Sequence, residues 1–251
     1  MKIEHAYILY IDNPQATDYM EQCKQSCIDH NVPVTPFLGF KLPTTVADVK
    51  EKWGVRIDPV VQERIEEPVF RIWFKEQLCT AGHIAMWKEI AKQDKAFAIF
   101  EHDAIVKRDF YDVEVNDGEI VFLGYRVDHR DDYECINDPF TKIPVNKFEG
   151  THAYAITPNT CRYLLEAIEQ REYLPVGISV DFYLGVQNLF KLNMFVADPA
   201  PVIAAVEDKV SETQPEGKVA KYNMLPPDGF LKGLVKPEKY SIDEKNNWLV
   251  F

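Results

Sequence analysis

Two carboxylates at the end of an apolar strand are the residues of this sequence best suited to chemistry. Glu101 and Asp103 follow the apolar run 96–100 and flank His102. Side chains at i and i+2 on a strand point to the same side, so both carboxylates can address one cation or one polar ligand. Carboxylates in such apolar surroundings need a metal or a cationic partner, because burying them unpaired costs several kcal/mol per charge. The pattern therefore predicts a ligand site at the end of this strand.

The elements around this strand alternate between strands and helices. Apolar runs predict strands, and amphipathic spacing predicts helices. A charged, weakly periodic stretch at 44–67 predicts an irregular helical insertion over the carboxyl edge of the sheet, and the polar stretch 127–147 predicts a long loop or a β-excursion. The alternation favours an α/β sandwich around a mainly parallel sheet, whose ligands bind at the carboxyl ends of the strands. The predicted strands are 5–11, 32–37, 96–100, 119–123, 150–156 and 195–202, and the predicted helices are 17–29, 71–92, 159–170 with Thr157 as its cap, and 179–190.

Charge and composition narrow the class of partner. The chain has 251 residues, is 46% hydrophobic and carries a formal net charge of -12. This charge, without a cluster of basic residues, disfavours nucleic acid and anionic membranes. A phosphorylated ligand would need a local bridge, such as a divalent cation. The sequence has no P-loop, no G-x-G-x-x-G and no G-x-S-x-G motif, which leaves NTPases, dinucleotide dehydrogenases and the commonest serine hydrolases without support.

Cysteine usage and hydropathy indicate a cytoplasmic protein. Five scattered cysteines favour free thiols in a reducing compartment. Cys23 and Cys27 are four residues apart on a predicted helix. We expect both side chains to pack in the core, and the alternative is that they supply half of a metal site. We expect no leader and no transmembrane segment, because no apolar run approaches the ~20 residues of a membrane helix. Beyond residue 206 periodicity is lost, so 207–251 is predicted to be an extension that packs on a domain spanning 1–206 or is partly disordered.

Four segments carry motifs in a fixed order along the chain. Glu76, Cys79, His83 and Trp87 match a G-E-x-G-C-x-x-S-H-x-x-x-W helix, and Glu101 to Asp103 match an E-D-D triplet. Gly150, Thr151 and Tyr154 match a G-T-x-x-Y strand, and Val180, Asp181 and Phe182 match a later D-[WF] segment. Together these segments resemble glycosyltransferase family 25, the lipopolysaccharide-type galactosyltransferases and their collagen-modifying relatives. The region concerned is roughly 70–211, which ends in a stretch similar to the closing P-x-x-V of the family.

The sequence departs from the family pattern at several positions. His102 replaces the middle acid of the triplet, which lies on the opposite face of the strand from its neighbours. Gly82 replaces a serine, and Lys75 and Leu78 replace glycines. No Arg or Lys lies between Ile11 and Cys23, where the family has a basic residue after its first strand. Recognition of the nucleotide at the first loop is therefore left open.

The resemblance implies a GT-A-like three-layer α/β/α sandwich and a metal-dependent hexosyltransferase of lipopolysaccharide-type biosynthesis. Such an enzyme moves a hexose, here expected to be galactose, from a UDP-sugar to a hydroxyl of a glycan or protein with inversion. Mn²⁺ or Mg²⁺ would bridge the diphosphate to Asp103, with Glu101 sharing the metal or holding the ribose. His152 would be a third metal ligand or an acceptor contact. Residues expected at the donor site are Glu101, Asp103, His83, Gly150 and Thr151.

An inverting reaction needs a general base for the proton of the acceptor hydroxyl. The candidate is Asp181, expected in the first turn of a helix whose dipole keeps the carboxylate ionised. The alternative is an ordinary carboxylate in the first turn of a helix. Two other functions stay open: a catalytically silent family member that binds a glycan or protein, and a metal-dependent phosphate-ester hydrolase. The sequence does not specify the sugar, the acceptor or the oligomeric state.

Overall fold

A computed structural model gives the architecture. It describes residues 1–127, 129–148, 150–174, 179–186, 188 and 190–205, and three strands beyond them. The strands are β1 Ile3–Tyr10, β2 Val34–Leu38, β3 Ala96–Glu101, β4 Ala104–Val106, β5 Glu119–Phe122, β6 Gly124–Val127, β7 Thr141–Pro144, β8 Ala153–Ile156, β9 Asn193–Asp198, β10 Val202–Ala205, β11 Tyr222–Met224, β12 Ser241–Asp243 and β13 Trp248–Val250. The α-helices are α1 Pro14–Asp29, α2 Val46–Trp53, α3 Val60–Glu63, α4 Pro68–Ile90 and α5 Pro158–Glu169.

A seven-stranded sheet forms the centre, in the order β2-β1-β3-β8-β5-β9-β7. Strands β1, β2 and β3 are mutually parallel, β8 is antiparallel to both β3 and β5, and β9 is parallel to β5 but antiparallel to β7. Five of the seven strands therefore run in one direction. The predicted α/β fold with a mainly parallel sheet is confirmed.

The sheet separates two apolar cores, which makes the fold three layers deep. In β1, Tyr7 and Leu9 face the core beneath α4 and α5, whereas Ala6 and Ile8 face the core beneath α1. Alternate side chains of a strand point to opposite faces, so a strand buried on both sides is apolar at almost every position. The second core also holds residues of β4 and β10. These two strands form a small three-stranded sheet with β6, in which β10 lies between β4 and β6.

Helix α4 carries His83 and the other residues that match the first motif of the family. Pro68 stands at its first turn, where the missing N–H leaves no intrahelical bond unmade, and the helix runs for 23 residues across the sheet. A Cβ added at Gly82 would lie 2.7 Å from Leu9 Cδ1. The glycine that stands in place of the family's serine thus lets α4 approach β1.

Most of the predicted elements are present, with differences at their ends. The insertion at 44–67 forms α2 and α3, which pack against α4. The stretch 127–147 contains a 3₁₀ turn at Arg130–Asp132 and strand β7, which adds an edge to the main sheet. The side chain of Thr157 caps α5 as predicted.

All five cysteines are free, and Cys23 and Cys27 lie in the core.

The predicted helix at 179–190 is wrong in type and length. A short helical turn at 180–181 passes into a π-helix at Phe182–Val186. The chain packs tightly here, since a Cβ at Gly185 would collide with the carbonyl oxygen of Phe148. Single π-turns of this kind occur frequently at functional sites. Apart from β11, β12 and β13, which form a small antiparallel sheet, the predicted extension 207–251 lies outside the described residues.

Candidate functional site

A cavity of about 270 Å³ opens beside the carboxyl ends of β1 and β3. One wall is apolar and includes Leu9, Phe40 and Leu42. The remaining lining includes the carboxylates Glu101 and Asp103. The cavity therefore lies where parallel strands end, as ligand sites of α/β proteins do.

The acidic pair divides between two sets of partners. Strand β3 ends at Glu101, and Asp103 lies in the turn that leads to β4, so the two side chains are not held on one face of a continuous strand. Asp103 Oδ2 lies 3.8 Å from Arg126 Nη2. Asp103 Oδ1 is buried and has no hydrogen-bond partner within the described parts of the chain. Both acids line the cavity, and of the two only Asp103 has a buried oxygen without a hydrogen-bond partner among the described residues.

Glu101 instead belongs to a hydrogen-bonded group behind the cavity. Its Oε1 accepts a hydrogen bond from Thr151 Oγ1 at 2.8 Å and lies 3.6 Å from His83 Nε2. Burial raises the pKa of Glu101, but the neighbouring His83 and the Thr151 hydroxyl outweigh burial and lower the pKa to about 2. Glu101 is accordingly an ionised acceptor at neutral pH.

His83 is held in place by two aromatic side chains. Trp87 Nε1–H donates to Tyr154 Oη at 2.9 Å, and Tyr154 Oη lies 2.8 Å from His83 Nδ1. An indole N–H can only donate, so the phenol accepts from Trp87 and we assign its own proton to His83 Nδ1. The remaining ring nitrogen, Nε2, faces Glu101.

Asp181 joins this group through Thr151. Thr151 Oγ1 lies 2.7 Å from Asp181 Oδ1, on the side opposite Glu101 in the hydrogen-bonded chain. Burial, and after it the charge of Glu101, raises the pKa of Asp181 to about 6. The sequence predicts that a helix dipole keeps this carboxylate ionised; burial and a like charge make it more basic than an ordinary aspartate, and a pKa of about 6 still leaves it ionised at neutral pH. A carboxylate tuned toward neutral pH suits a general base.

The other predicted site residues lie around this group. Gly150 has φ of 105°, which favours glycine, and directly precedes the buried Thr151. The backbone carbonyl of His152 accepts a hydrogen bond from the amide of Glu101 at 2.9 Å. The side chain of His152 packs against Gly124, where an added Cβ would lie 3.1 Å from its Nε2. Of the residues expected at the donor site, Glu101 and Asp103 line the cavity, while His83, Gly150 and Thr151 lie outside its described lining.

Three cations that were not predicted to be site residues also line the cavity. They are Lys41, Lys75 and Arg126. Lys41 follows β2, and its ammonium donates to the carbonyl of Asp12 in the first loop. The sequence lacks the basic residue that the family carries after its first strand. Lys41, which follows the second strand, nevertheless places a positive charge in the cavity beside the first loop. The only feature of the sequence that could have indicated these cations is that Lys41 and Arg126 lie near the ends of strands.

Cys79, His83 and Glu101 form a potential metal-binding group, with one ligand atom from each lying within 4.8 Å of the others. Burial, and after it the charge of Glu101, raises the pKa of the Cys79 thiol. Metals bind the thiolate, so the thiol is a poor ligand at neutral pH. The unsatisfied carboxylate oxygen of Asp103 fits a hard cation such as Mg²⁺ or Mn²⁺ better.

The fold and the site define an α/β protein with a mixed-charge ligand cavity at the carboxyl edge of its sheet and a tuned carboxylate close behind. Residues 71–184 match the model of glycosyltransferase family 25 (LPS biosynthesis protein). This match supports the assignment to glycosyltransferase family 25 that the motifs predicted. The matched region includes most of α4, the segment from Glu101 to Asp103, strand β8 with the residues just before it, and Asp181. It therefore includes every predicted site residue.

Other comparisons add little. A comparison with curated proteins finds no match. A crystal structure of a glycosyltransferase involved in the glycosylation of the major capsid of PBCV-1 has 11% identity and a TM-score of 0.39, covering 83% of this chain and 95% of its own. This score is too low to support an argument about fold or function. Within the described part of the chain, no helix combines the length and apolar character needed to cross a membrane.

Proposed function

We propose that this chain transfers a hexose, with galactose as the expected sugar, from a UDP-sugar to a hydroxyl of a glycan or protein, with inversion. The proposal includes a GT-A-like sandwich and dependence on Mn²⁺ or Mg²⁺. The observation that carries it is the cavity itself, which combines the unsatisfied oxygen of Asp103 with cations and an apolar wall. These are the features that a nucleoside diphosphate requires: neutralisation of its phosphates and a surface for its base.

The cations explain how a chain with a net charge of -12 can bind a diphosphate. Lys75 and Arg126 line the cavity beside the acidic turn, and Arg126 lies within 3.8 Å of Asp103. Charge-assisted hydrogen bonds from such groups to phosphate are about twice as strong as neutral ones. The local charge is therefore far less negative than the average over the chain, which supports an anionic ligand.

The proposed cation would be held by Asp103 and would supply neutralisation of the charge that develops on the departing UDP. Glu101 is the second proposed ligand, or a ribose contact, through the oxygen not engaged by Thr151. His152 is the third proposed ligand or an acceptor contact. Asp103 has the strongest support, because its buried Oδ1 has no partner among the described residues.

Asp181 is the proposed general base. The acceptor oxygen bonds to the anomeric carbon, the bond from that carbon to the phosphate oxygen breaks, and the proton of the acceptor passes to Asp181. A pKa of about 6 leaves Asp181 ionised at neutral pH while keeping it more basic than an ordinary aspartate. The alternative, a carboxylate with no role beyond a helix turn, does not account for its contact with the Thr151 hydroxyl, which also contacts Glu101.

Calorimetric titration with UDP, with and without Mn²⁺, tests the donor site. We expect binding by the wild type and by the exposed control Asp18→Asn only when Mn²⁺ is present, and loss of this binding in Asp103→Ala. Absence of metal-dependent UDP binding by the wild type at millimolar ligand would refute the proposal. Release of inorganic phosphate from a simple phosphate ester would favour the hydrolase, and UDP binding without transfer would favour a silent family member.

A further inference from the structure

Thr151 occupies the junction between the two carboxylates that the proposed reaction needs. It lies just before β8, and its side chain is 2% exposed. Its Oγ1 lies 2.8 Å from Glu101 Oε1 and 2.7 Å from Asp181 Oδ1. No other polar contact of this hydroxyl is seen among the described residues.

A threonine hydroxyl has one proton and therefore donates to one carboxylate at a time. Both distances are nevertheless those of good hydrogen bonds. The orientation of the Thr151 hydroxyl consequently depends on Glu101 and Asp181 together. Whatever fixes Glu101 restricts the hydroxyl, and the hydroxyl in turn restricts the rotation of the Asp181 carboxylate.

Three buried side chains lie behind Glu101. Trp87 donates to Tyr154, whose hydroxyl contacts His83 Nδ1. His83 Nε2 faces Glu101 Oε1 at 3.6 Å, beyond hydrogen-bond distance. Trp87, Tyr154 and His83 are at most 1% exposed, on α4 and β8. Their hydrogen bonds hold the imidazole in a fixed position beside Glu101.

We propose that Thr151 is a positioning residue for glycosyl transfer, which holds Asp181 in the orientation that accepts the proton of the acceptor hydroxyl. This inference rests on the proposed function and changes the role expected of Thr151 from the sequence, where it was a donor-site residue. The cavity lining supports the change, because it includes Glu101 but not Thr151. A base misplaced by about 1 Å can cost about a hundredfold in rate, so the hydroxyl matters to turnover and not to binding of UDP.

Three variants test the proposal. Thr151→Val keeps the shape but removes the hydroxyl, Thr151→Ser retains the hydroxyl, and Thr80→Val is a matched control. Thr80 is also buried, but its hydroxyl donates to the carbonyl of Glu76 within α4. We expect Thr151→Val to lower kcat about a hundredfold with the UDP Kd unchanged, Thr151→Ser to restore most of kcat, and Thr80→Val to match the wild type.

Two outcomes would overturn the inference while the wild type remains active: Thr151→Val with the kcat of Thr80→Val, or a loss that appears in the UDP Kd alone. If Thr151→Val does not fold, as judged by circular dichroism, Thr151→Ala is measured against Thr151→Ser in the same way. Addition of Thr151→Ser or Thr151→Ala to Asp181→Asn should have no further effect on kcat, since both act through one group. A wild type that neither binds UDP nor releases it from a UDP-hexose would refute the proposed function instead.

Discussion

The cavity lining and the hydrogen-bonded group behind it use charged residues in different ways. In the lining, Asp103 and Arg126 approach no closer than 3.8 Å, and one oxygen of Asp103 lacks a described partner. The hydrogen-bonded group, here called the inner group, consists of Trp87, Tyr154, His83, Glu101, Thr151 and Asp181. In it, the Thr151 hydroxyl lies 2.8 Å from Glu101 and 2.7 Å from Asp181. The inner group is held together by hydrogen bonds, whereas the closest charged contact of the lining is a looser one. Under the proposed function, we expect the lining to recognise the donor and the inner group to orient the base.

Asp181→Asn should separate the two regions most strongly. The amide cannot accept the acceptor's proton, so transfer should fall about 10²–10⁴-fold, the usual contribution of general base catalysis. Binding of UDP should be unchanged, because the lining is intact. The measurements are the initial rate of transfer and calorimetric UDP titration, with Asp18→Asn on the exposed face of α1 as control. Transfer at the control's rate would place the base elsewhere.

Arg126→Gln should weaken the binding of UDP, because Arg126 lines the cavity. A lost charge-assisted hydrogen bond to phosphate corresponds to about 1.5 kcal/mol, or roughly tenfold in the UDP Kd. The salt dependence of UDP binding should also weaken, since fewer charges contribute to binding. The control is Arg162→Gln, on the exposed surface of α5. An unchanged Kd in Arg126→Gln would remove this side chain from the donor site.

The pH dependence of kcat reports on the inner group. Asp181 must be ionised to act as a base, so kcat should rise with pH through about 6 and be about tenfold below its plateau one unit lower. The charge of Glu101 raises the pKa of Asp181, so Glu101→Gln should shift this midpoint to lower pH. A midpoint that moves upward in Glu101→Gln would contradict the electrostatic coupling of the two carboxylates.

Gly82→Ser tests the packing that supports both regions and should have the smallest effect. The added side chain would meet Leu9 Cδ1, at the far end of a side chain that can rotate. We expect a loss of about 1 kcal/mol in the free energy of unfolding, measured by urea denaturation. Leu9→Ala should abolish this effect of the serine when the two substitutions are combined. A Gly82→Ser protein as stable as the wild type would show that α4 does not need the close approach.

The sequence predicted the elements better than the contacts of the site. Periodicity identified α4 and β3 because both are long or strongly apolar and buried. The motifs identified Glu101, Thr151 and Asp181 as site residues, and the structure brings them together. The equivalence of Glu101 and Asp103 did not hold, because the strand ends at Glu101 and the following turn directs Asp103 toward Arg126.

The cations of the cavity illustrate what sequence reasoning could not reach. Lys41, Lys75 and Arg126 come from the ends of two strands and from the middle of α4, and each resembles an ordinary surface charge in the sequence. Their convergence depends on the order of strands in the folded sheets. The raised pKa of Asp181 was missed for the same reason, since its causes are burial and the charge of Glu101, 80 residues earlier.

The most direct test of the account is the release of UDP from a panel of UDP-hexoses, compared between the wild type, Asp181→Asn and Asp18→Asn in the presence of Mn²⁺ and an acceptor sugar. We expect the wild type and Asp18→Asn to release UDP from at least one UDP-hexose at the same rate, and Asp181→Asn to release it about 10²–10⁴-fold more slowly. Equal rates in the wild type and Asp181→Asn would contradict the account.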